Sequence, residues 1–500
     1  MRGMIRIAIC AGASSMIAIG AHATNWTGGG TDSLFDPDNW GGVSLGTEND
    51  ATFNNSEDLS LRLAEDYTAK RMFFYGAGHV AIDLNGNTLA FTGGDVQVNG
   101  NNANAEFFGG GKMTASGTLR ISSGSATNCS MVIRDTGTFV YPNAILIGQN
   151  QGGSFNTLIV SNGAHFAVNT GIPLANAGNN SVSSNNCLIV TGEGSEVAVS
   201  NLSYAVEIGW QACGGNNMVE VTDKGLLYCG KTIVGAMTNS FNNLLYVHGG
   251  GTYTNCGDFV MGNIAGASSN RVLIAEDSWL YVKDNFQISA NACTGNIFTV
   301  SNARVYSGRQ ITLGGKDASM DNELRILEGG SFESANKLNL SWEKMGEGNR
   351  VVLSNGTLKV TKITAGMNDP SYVRDNRFVF CGTNDAITAT GDDISLKSGT
   401  VLEVIFPPEG RDVSAVCLTG AGSLNLDGTM RIFVDATKLV RRLEKRTTYP
   451  LVRVANTIAS TALDNLTLSP HGQVSVAFTS DGKGIDVTVK PDHGFVIIVR

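Results

Sequence analysis

Paired carboxylates are the side chains of this sequence best suited to chemistry. Asp392 and Asp393 stand together in Gly391-Asp392-Asp393-Ile394, a short way after Asp385. Two carboxyl groups flanking one bond supply the acid and base of glycoside hydrolysis. A second series, Asp135, Glu193, Asp223, Glu276, Asp277 and Glu328, recurs at one place in a repeat. Stacked carboxylates hold calcium when the column is continuous. Here His248, Asn302 and Asn355 interrupt it, so solvated turn carboxylates are the simpler reading. His79, His165, His248, His471 and His493 fall at unrelated places, and neither HExxH nor a Ser-His-Asp pattern occurs. Cysteines form no CxxC pair, which argues against zinc. Trp210, Trp279 and Trp342 are the rings able to stack on sugars if exposed.

A repeat carries these side chains. Asn270-Arg-Val-Leu-Ile, Asn296-Ile-Phe-Thr-Val, Asn322-Glu-Leu-Arg-Ile and Asn349-Arg-Val-Val-Leu start 26, 26 and 27 residues apart. A period of this size marks a solenoid or array. The same leading asparagine is read at Asn128, Asn156, Asn186, Asn217, Asn243 and Asn376, with Asn104 opening an earlier, imperfect coil. The fourth residue after each is apolar, from Val132 to Phe380, and the second is apolar in all but one, Ser130. Such alternation is a strand with one buried face. A second apolar column follows at Phe166, Leu227, Tyr253, Leu280, Tyr306 and Phe332. A third ends in glycine, as in Leu146-Ile-Gly148, Ile233-Val-Gly235 and Val260-Met-Gly262. The leading asparagine shares the parity of the buried positions, so its amide is expected inside, bonded along a stack of identical amides. Three strands per coil of about 27 residues predict an all-β, right-handed parallel β-helix over residues 59–390. Replicated strands at roughly 4.8 Å per coil build one shared core.

The flanks differ. Residues 24–58 contain Trp26-Thr-Gly-Gly-Gly, Phe35, Asp38-Asn39-Trp40-Gly-Gly and Asp50-Ala-Thr-Phe53-Asn54. This opening resembles the start of autotransporter-like, β-strand-repeat proteins exported by bacteria. The resemblance implies a β-rich cap in which Trp26, Phe35, Trp40 and Phe53 plug the open end of the stack. A sugar-binding aromatic platform is the functional alternative. Over residues 391–500 the period breaks. Val401–Phe406, Leu424–Leu426, Met430–Val434, Tyr449–Val454, Val474–Phe478 and Ile485–Val489 read as antiparallel strands, with a turn at Asp481-Gly482. This end is similar to the closing segments of the same family, and it would cover the last coil's edge. Too little chain remains there for the spans of a membrane barrel. Asp385 with Gly391–Gly399 also resembles the acidic segments of pectin-degrading glycoside hydrolases. The Gly-His-Gly and Arg-x-Lys of that family are missing at corresponding places.

Residues 1–23 read as a secretory signal: Arg2 and Arg6, the apolar run Ile7 to Ile19, then Ala21-His22-Ala23 before a cut at Thr24. Cys10 lies too early in that run for a lipoprotein anchor. Cleavage would take those two arginines from the 35 basic residues and nothing from the 44 acidic ones, moving the net charge from −9 to −11. An acidic chain without a basic tract gives no support for nucleic acid as partner, and no transmembrane segment follows. Cys229 and Cys256, one repeat apart, are placed for a disulfide between coils; buried free thiols are the other reading. The expectation is therefore a secreted or cell-surface bacterial β-solenoid with a structural or adhesive role, its partner polysaccharide or another surface protein. No catalytic, cofactor-binding or metal residue is assigned, and no cofactor. The alternative is a carbohydrate-active enzyme, lyase or hydrolase, working in a groove along the helix. Three or more charged side chains meeting in one groove from adjacent coils would favour it.

Overall fold

The computed structural model describes residues 23–149, 152–176, 183–210, 214–315, 318–341, 346–366, 375–426, 430–459 and 466–492. The signal segment, Cys213, Trp342 and His493 therefore lie outside the described residues, apart from Ala23, which pairs with Asp50 in the first strand. Strands account for nearly all regular structure; Pro37–Trp40 forms one short 3-10 turn. Among the described residues, the first strands of successive coils make a parallel sheet of 16 strands. Second and third strands make a joined sheet of 32, because Gly111–Ser123 and Thr138–Gln149 run straight through the corner between them. Among the described residues no helix is long and apolar enough to cross a membrane.

The asparagine ladder explains the stacking. All of Asn156, Asn186, Asn217, Asn243, Asn270, Asn296, Asn322, Asn349 and Asn376 are fully buried. After Asn156, each side-chain oxygen accepts from the asparagine one coil earlier. Asn243 donates its backbone N–H (3.1 Å) and its amide Nδ2 (2.9 Å) to Asn270 Oδ1. Asn270 in turn donates to Asn296 Oδ1 at 3.1 Å and to the Ser240 carbonyl at 3.2 Å. The same corner carbonyl is reached in other coils at Gly214, Ala267, Cys293, Ser319 and Gly346. Main-chain groups at a buried corner have no ladder partner and no water, so the amide supplies both donor and acceptor. The ladder stops at Asn376, where the next position is Thr400, a buried hydroxyl without a partner.

Asn128 and Asn104 do not belong to it. Cys129 occupies the ladder place and donates its N–H to Asn156 Oδ1 at 3.0 Å. Met131 and Ile133 face inward there instead of Val132, and Ala103 stands in line in the coil before. The residue ahead of each ladder position has a positive φ: 59° at Phe155, 57° at Asn185, 53° at Asn242, 53° at Asp321. Asn128 (58°) fills that corner. Asparagine tolerates the left-handed region and also suits the buried amide site, so its identity alone does not separate the two roles.

Glycine ends the third strand for a steric reason. A Cβ on Gly235, whose φ is 75°, would lie 2.3 Å from the Asn270 amide nitrogen. Where serine stands instead, as at Ser341, its hydroxyl joins the ladder and donates to Asn376 Oδ1 at 2.9 Å.

In the second column Val305, not Tyr306, faces the core beside Leu280 and Phe332. The cause is turn length. Glu276, Asp277 and Ser278 separate the first two strands of one coil, while Asn302 and Ala303 alone do so in the next. Losing one turn residue shifts the count from the asparagine by one and flips the side.

At the N-terminal end Trp26, Trp40, Phe53 and Phe74 form a chain of rings with centroids 5.2 to 5.3 Å apart at successive contacts. Trp40 and Phe53 are buried, and Trp40 Nε1 donates to the Leu34 carbonyl at 2.8 Å, so neither ring offers a face to a sugar. Phe35 stacks on Tyr67. At the other end, Thr447–Val454 and Val474–Phe478 pair antiparallel with Gly484–Val489, as expected. Thr400–Ile405, Leu424–Leu426 and Arg431–Asp435, however, continue the parallel stack. Longer connections between these strands break the sequence period without breaking the pairing. Cys229 faces the core opposite Asn255, whereas Cys256, one residue further, lies on the other face; both are free thiols.

Two outcomes follow. Val300 is fully buried, so Val300→Asp places a carboxylate in a core shared by neighbouring coils and should cost about 4 kcal/mol or more. An unchanged thermal unfolding midpoint would contradict the inward assignment. Asn270→Ala strips partners from Asn243 and from the Ser240 carbonyl, and should cost about 3 kcal/mol. Chemical denaturation showing a loss below about 1 kcal/mol would mean that the ladder contributes little.

Candidate functional site

The outward face of the second strands carries the most developed surface feature. Register sets Thr252, Trp279, Arg304 and Ser331 in one row and Thr254, Tyr281, Tyr306 and Glu333 in the next. Between these rows and the turns at Asp277, Asn302 and Gly329 lies an open groove of about 880 Å³. Trp279 is 48% exposed. Its ring meets Tyr281 edge-on, with centroids 6.1 Å apart at 78°. Tyr281 and Tyr306 lie face to face at 5.4 Å and 9°. Coil spacing sets this stack, and each ring restricts its neighbour's rotamers, so the wall is formed before any ligand arrives.

Polar groups complete the lining. Arg304 is exposed, and its guanidinium has no hydrogen-bond or ion-pair partner among the described residues. Asn302 Nδ2 donates to Asp277 Oδ1 at 3.4 Å. Glu333 pairs with Lys359 at 2.8 Å, one coil further on and away from Asp277. The groove thus gathers Asp277, Arg304 and Glu333 from three successive coils, the convergence expected of an enzyme. Its two carboxylates are badly spaced for that. Their backbones are roughly 16 Å apart, two coils along the axis and four residues along the strand. Acid–base pairs in glycoside hydrolysis work at roughly 5 to 9.5 Å.

The other candidates separate. Asp385 is buried, accepts N–H from Gly382 at 2.6 Å and pairs with buried Arg411 at 3.0 Å. Burial raises its carboxyl above the ordinary value, against the pull of these partners. Arg411 also donates to the Gly382 and Asp385 carbonyls, so the pair fastens one coil to the next. Asp392 and Asp393 are exposed beyond the far end of strand Ala386–Ala389, and Asp393 caps the Ser423 N–H at 2.6 Å. Asp135, Asp223, Glu276, Asp277 and Glu328 all have positive φ in the turn after the first strand. They are turn residues, and no group of three His, Cys, Asp or Glu among the described residues is arranged to hold a metal. His79 pairs with Glu106 at 2.9 Å, His165 with Glu196 at 3.1 Å, and His248 with Glu220 at 2.8 Å. Trp210 lies against Ala205, Ile233 and Ala236 rather than presenting a bare ring.

Of the predicted rings among the described residues, then, Trp279 alone stands in the groove. Tyr281 and Tyr306 were missing from the sequence-based candidates. Period-two alternation in Trp279-Leu-Tyr281-Val and Arg304-Val-Tyr306-Ser carries the signal, provided counting starts at the turn. Comparison of the chain with family models, curated proteins and solved structures returns no match.

Near Trp210, burial raises the Glu207 carboxyl from 4.5 to about 7, only partly offset by Lys231. The folded state then binds more protons than the unfolded one between these values, so this residue's contribution to stability falls as pH rises from about 4.5 through about 7. Glu207→Gln should flatten that fall, seen as a higher unfolding midpoint above neutral pH and little change under acid. An equal shift at both ends would exclude titration of Glu207 as the cause.

Proposed function

We propose that this chain is a secreted or cell-surface β-solenoid, of the kind carried by autotransporter-like exported bacterial proteins, with an adhesive role and no catalysis of its own. Its partner is a glycan, met on the outward groove of the central coils. The observation carrying this reading is the aromatic wall of Trp279, Tyr281 and Tyr306, with one ring half exposed on a rigid sheet. Sugar rings present apolar C–H faces that pack on aromatic surfaces, and the groove edges supply hydrogen-bonding groups around them. A preformed site on packed strands loses little entropy on binding. The signal-like residues 1–23 and the aromatic cap support export and the family resemblance.

A carbohydrate-active enzyme is the second reading, favoured by Asp277, Arg304 and Glu333 lining one groove. The spacing of the two carboxylates weighs against it. A glycan array run beside a polysaccharide-degradation assay distinguishes the two. Binding without released oligosaccharide is expected, with binding reduced in Trp279→Ala. Release of oligosaccharide would replace the adhesive reading with the enzymatic one.

A further inference from the structure

We infer that the groove takes a neutral, linear polysaccharide laid along the solenoid axis, one sugar unit to each coil. The inference rests on the adhesive reading above and specifies its ligand. Strands of successive coils are about 4.8 Å apart, close to the length one pyranose adds to an extended chain. Thr252, Trp279, Arg304 and Ser331 mark that spacing along the groove, which spans about three such units. A polymer with this repeat meets an equivalent strand position at each unit, whereas one lying across the coils would leave the groove after a single ring.

The lining suits such a chain. Trp279 has small Thr252 beside it in its row, so one side of the ring is uncrowded. Tyr281 and Tyr306 bound the length of the groove on one side. On the turn side, Asp277 and Asn302, and in the strand row Arg304, each carry a planar group with two neighbouring donors or acceptors, the geometry that vicinal hydroxyls match.

Charge selects the neutral class. Asp277 and Arg304 are opposite in sign, and Glu333 is compensated by Lys359. The groove therefore carries no net positive field, and the whole chain has a net charge of −9. A polyanion would approach against that field and bring repeated carboxylates past Asp277 and Glu333. A neutral chain meets neither obstacle.

Calorimetric titration of the full chain with cello-, xylo- and manno-oligosaccharides of increasing length, beside oligogalacturonates, tests this. Affinity for at least one neutral series should rise with each unit to about three and then level. It should change by no more than about twofold over a roughly tenfold rise in ionic strength. Trp279→Ala and Tyr306→Ala should each weaken binding roughly tenfold while the fold persists, thermal unfolding falling by no more than the loss of one surface ring contact, since both rings stand outside the core. Preference for oligogalacturonates, weakened by salt, would overturn the neutral-ligand inference and leave the adhesive reading intact. Affinity independent of length would overturn the axial arrangement. Silence toward all of these sugars would overturn the inference, and silence on the glycan array as well would remove the reading beneath it.

Discussion

A parallel solenoid has a corner problem before it has any function. At each corner the backbone leaves the sheet ladder inside a core that water does not enter, and every orphaned N–H or carbonyl there costs free energy. The buried asparagine answers this, because one amide both donates and accepts and its partner one coil away is the same residue. The line from Asn156 to Asn376 is continuous through backbone N–H to Oδ1 bonds. Left-handed residues before it and a small residue after the third strand (glycine, serine or, at Ala175, alanine) serve the same corner. The core then follows, since aligned corners bring aligned strands and their inward faces together.

With the corner fixed, the first turn decides what the outer face displays. One residue more or less in it exchanges inside for outside along the second strand. Between the coils of Asn270 and Asn296 that difference sends Val305 inward and sets Tyr306 against Tyr281. Ladder positions tolerate little variation, whereas the outer rows are free to differ from coil to coil. In this molecule Thr252, Trp279, Arg304 and Ser331 share one row though they differ in size, charge and polarity. A groove on such a surface comes from unlike neighbours on a uniform frame.

Acidic residues illustrate how a frame absorbs suggestive chemistry. Asp277 and Glu328 occupy positive-φ turn positions, and Asp385 is half of a buried ion pair that bonds main-chain carbonyls. Removing either member of such a pair leaves the other charged and buried, which makes it a structural commitment whatever its net worth. Asp277, although a turn residue, is exposed and lines the groove, where Glu333 is half-buried and paired with Lys359.

The repeat length, the alternation of buried residues and the inward amide were legible in the chain itself, because identical coils must solve identical burial and hydrogen-bonding problems. The aromatic cap and the free, inward thiol of Cys229 were open to the same reasoning. Register at the start of the ladder was not, since asparagine serves both the corner conformation and the buried site. Nor was the continuation of parallel coils past Thr400, where connections lengthen but pairing persists. The groove depended on tertiary structure altogether. Trp279 was recognisable as a ring, but its partners are chosen by stacking between coils, and stacking depends on turn lengths that a count from the asparagine does not see. Local hydrogen bonding and burial fix what each coil must be; only the superposition of one coil on the next fixes which side chains meet.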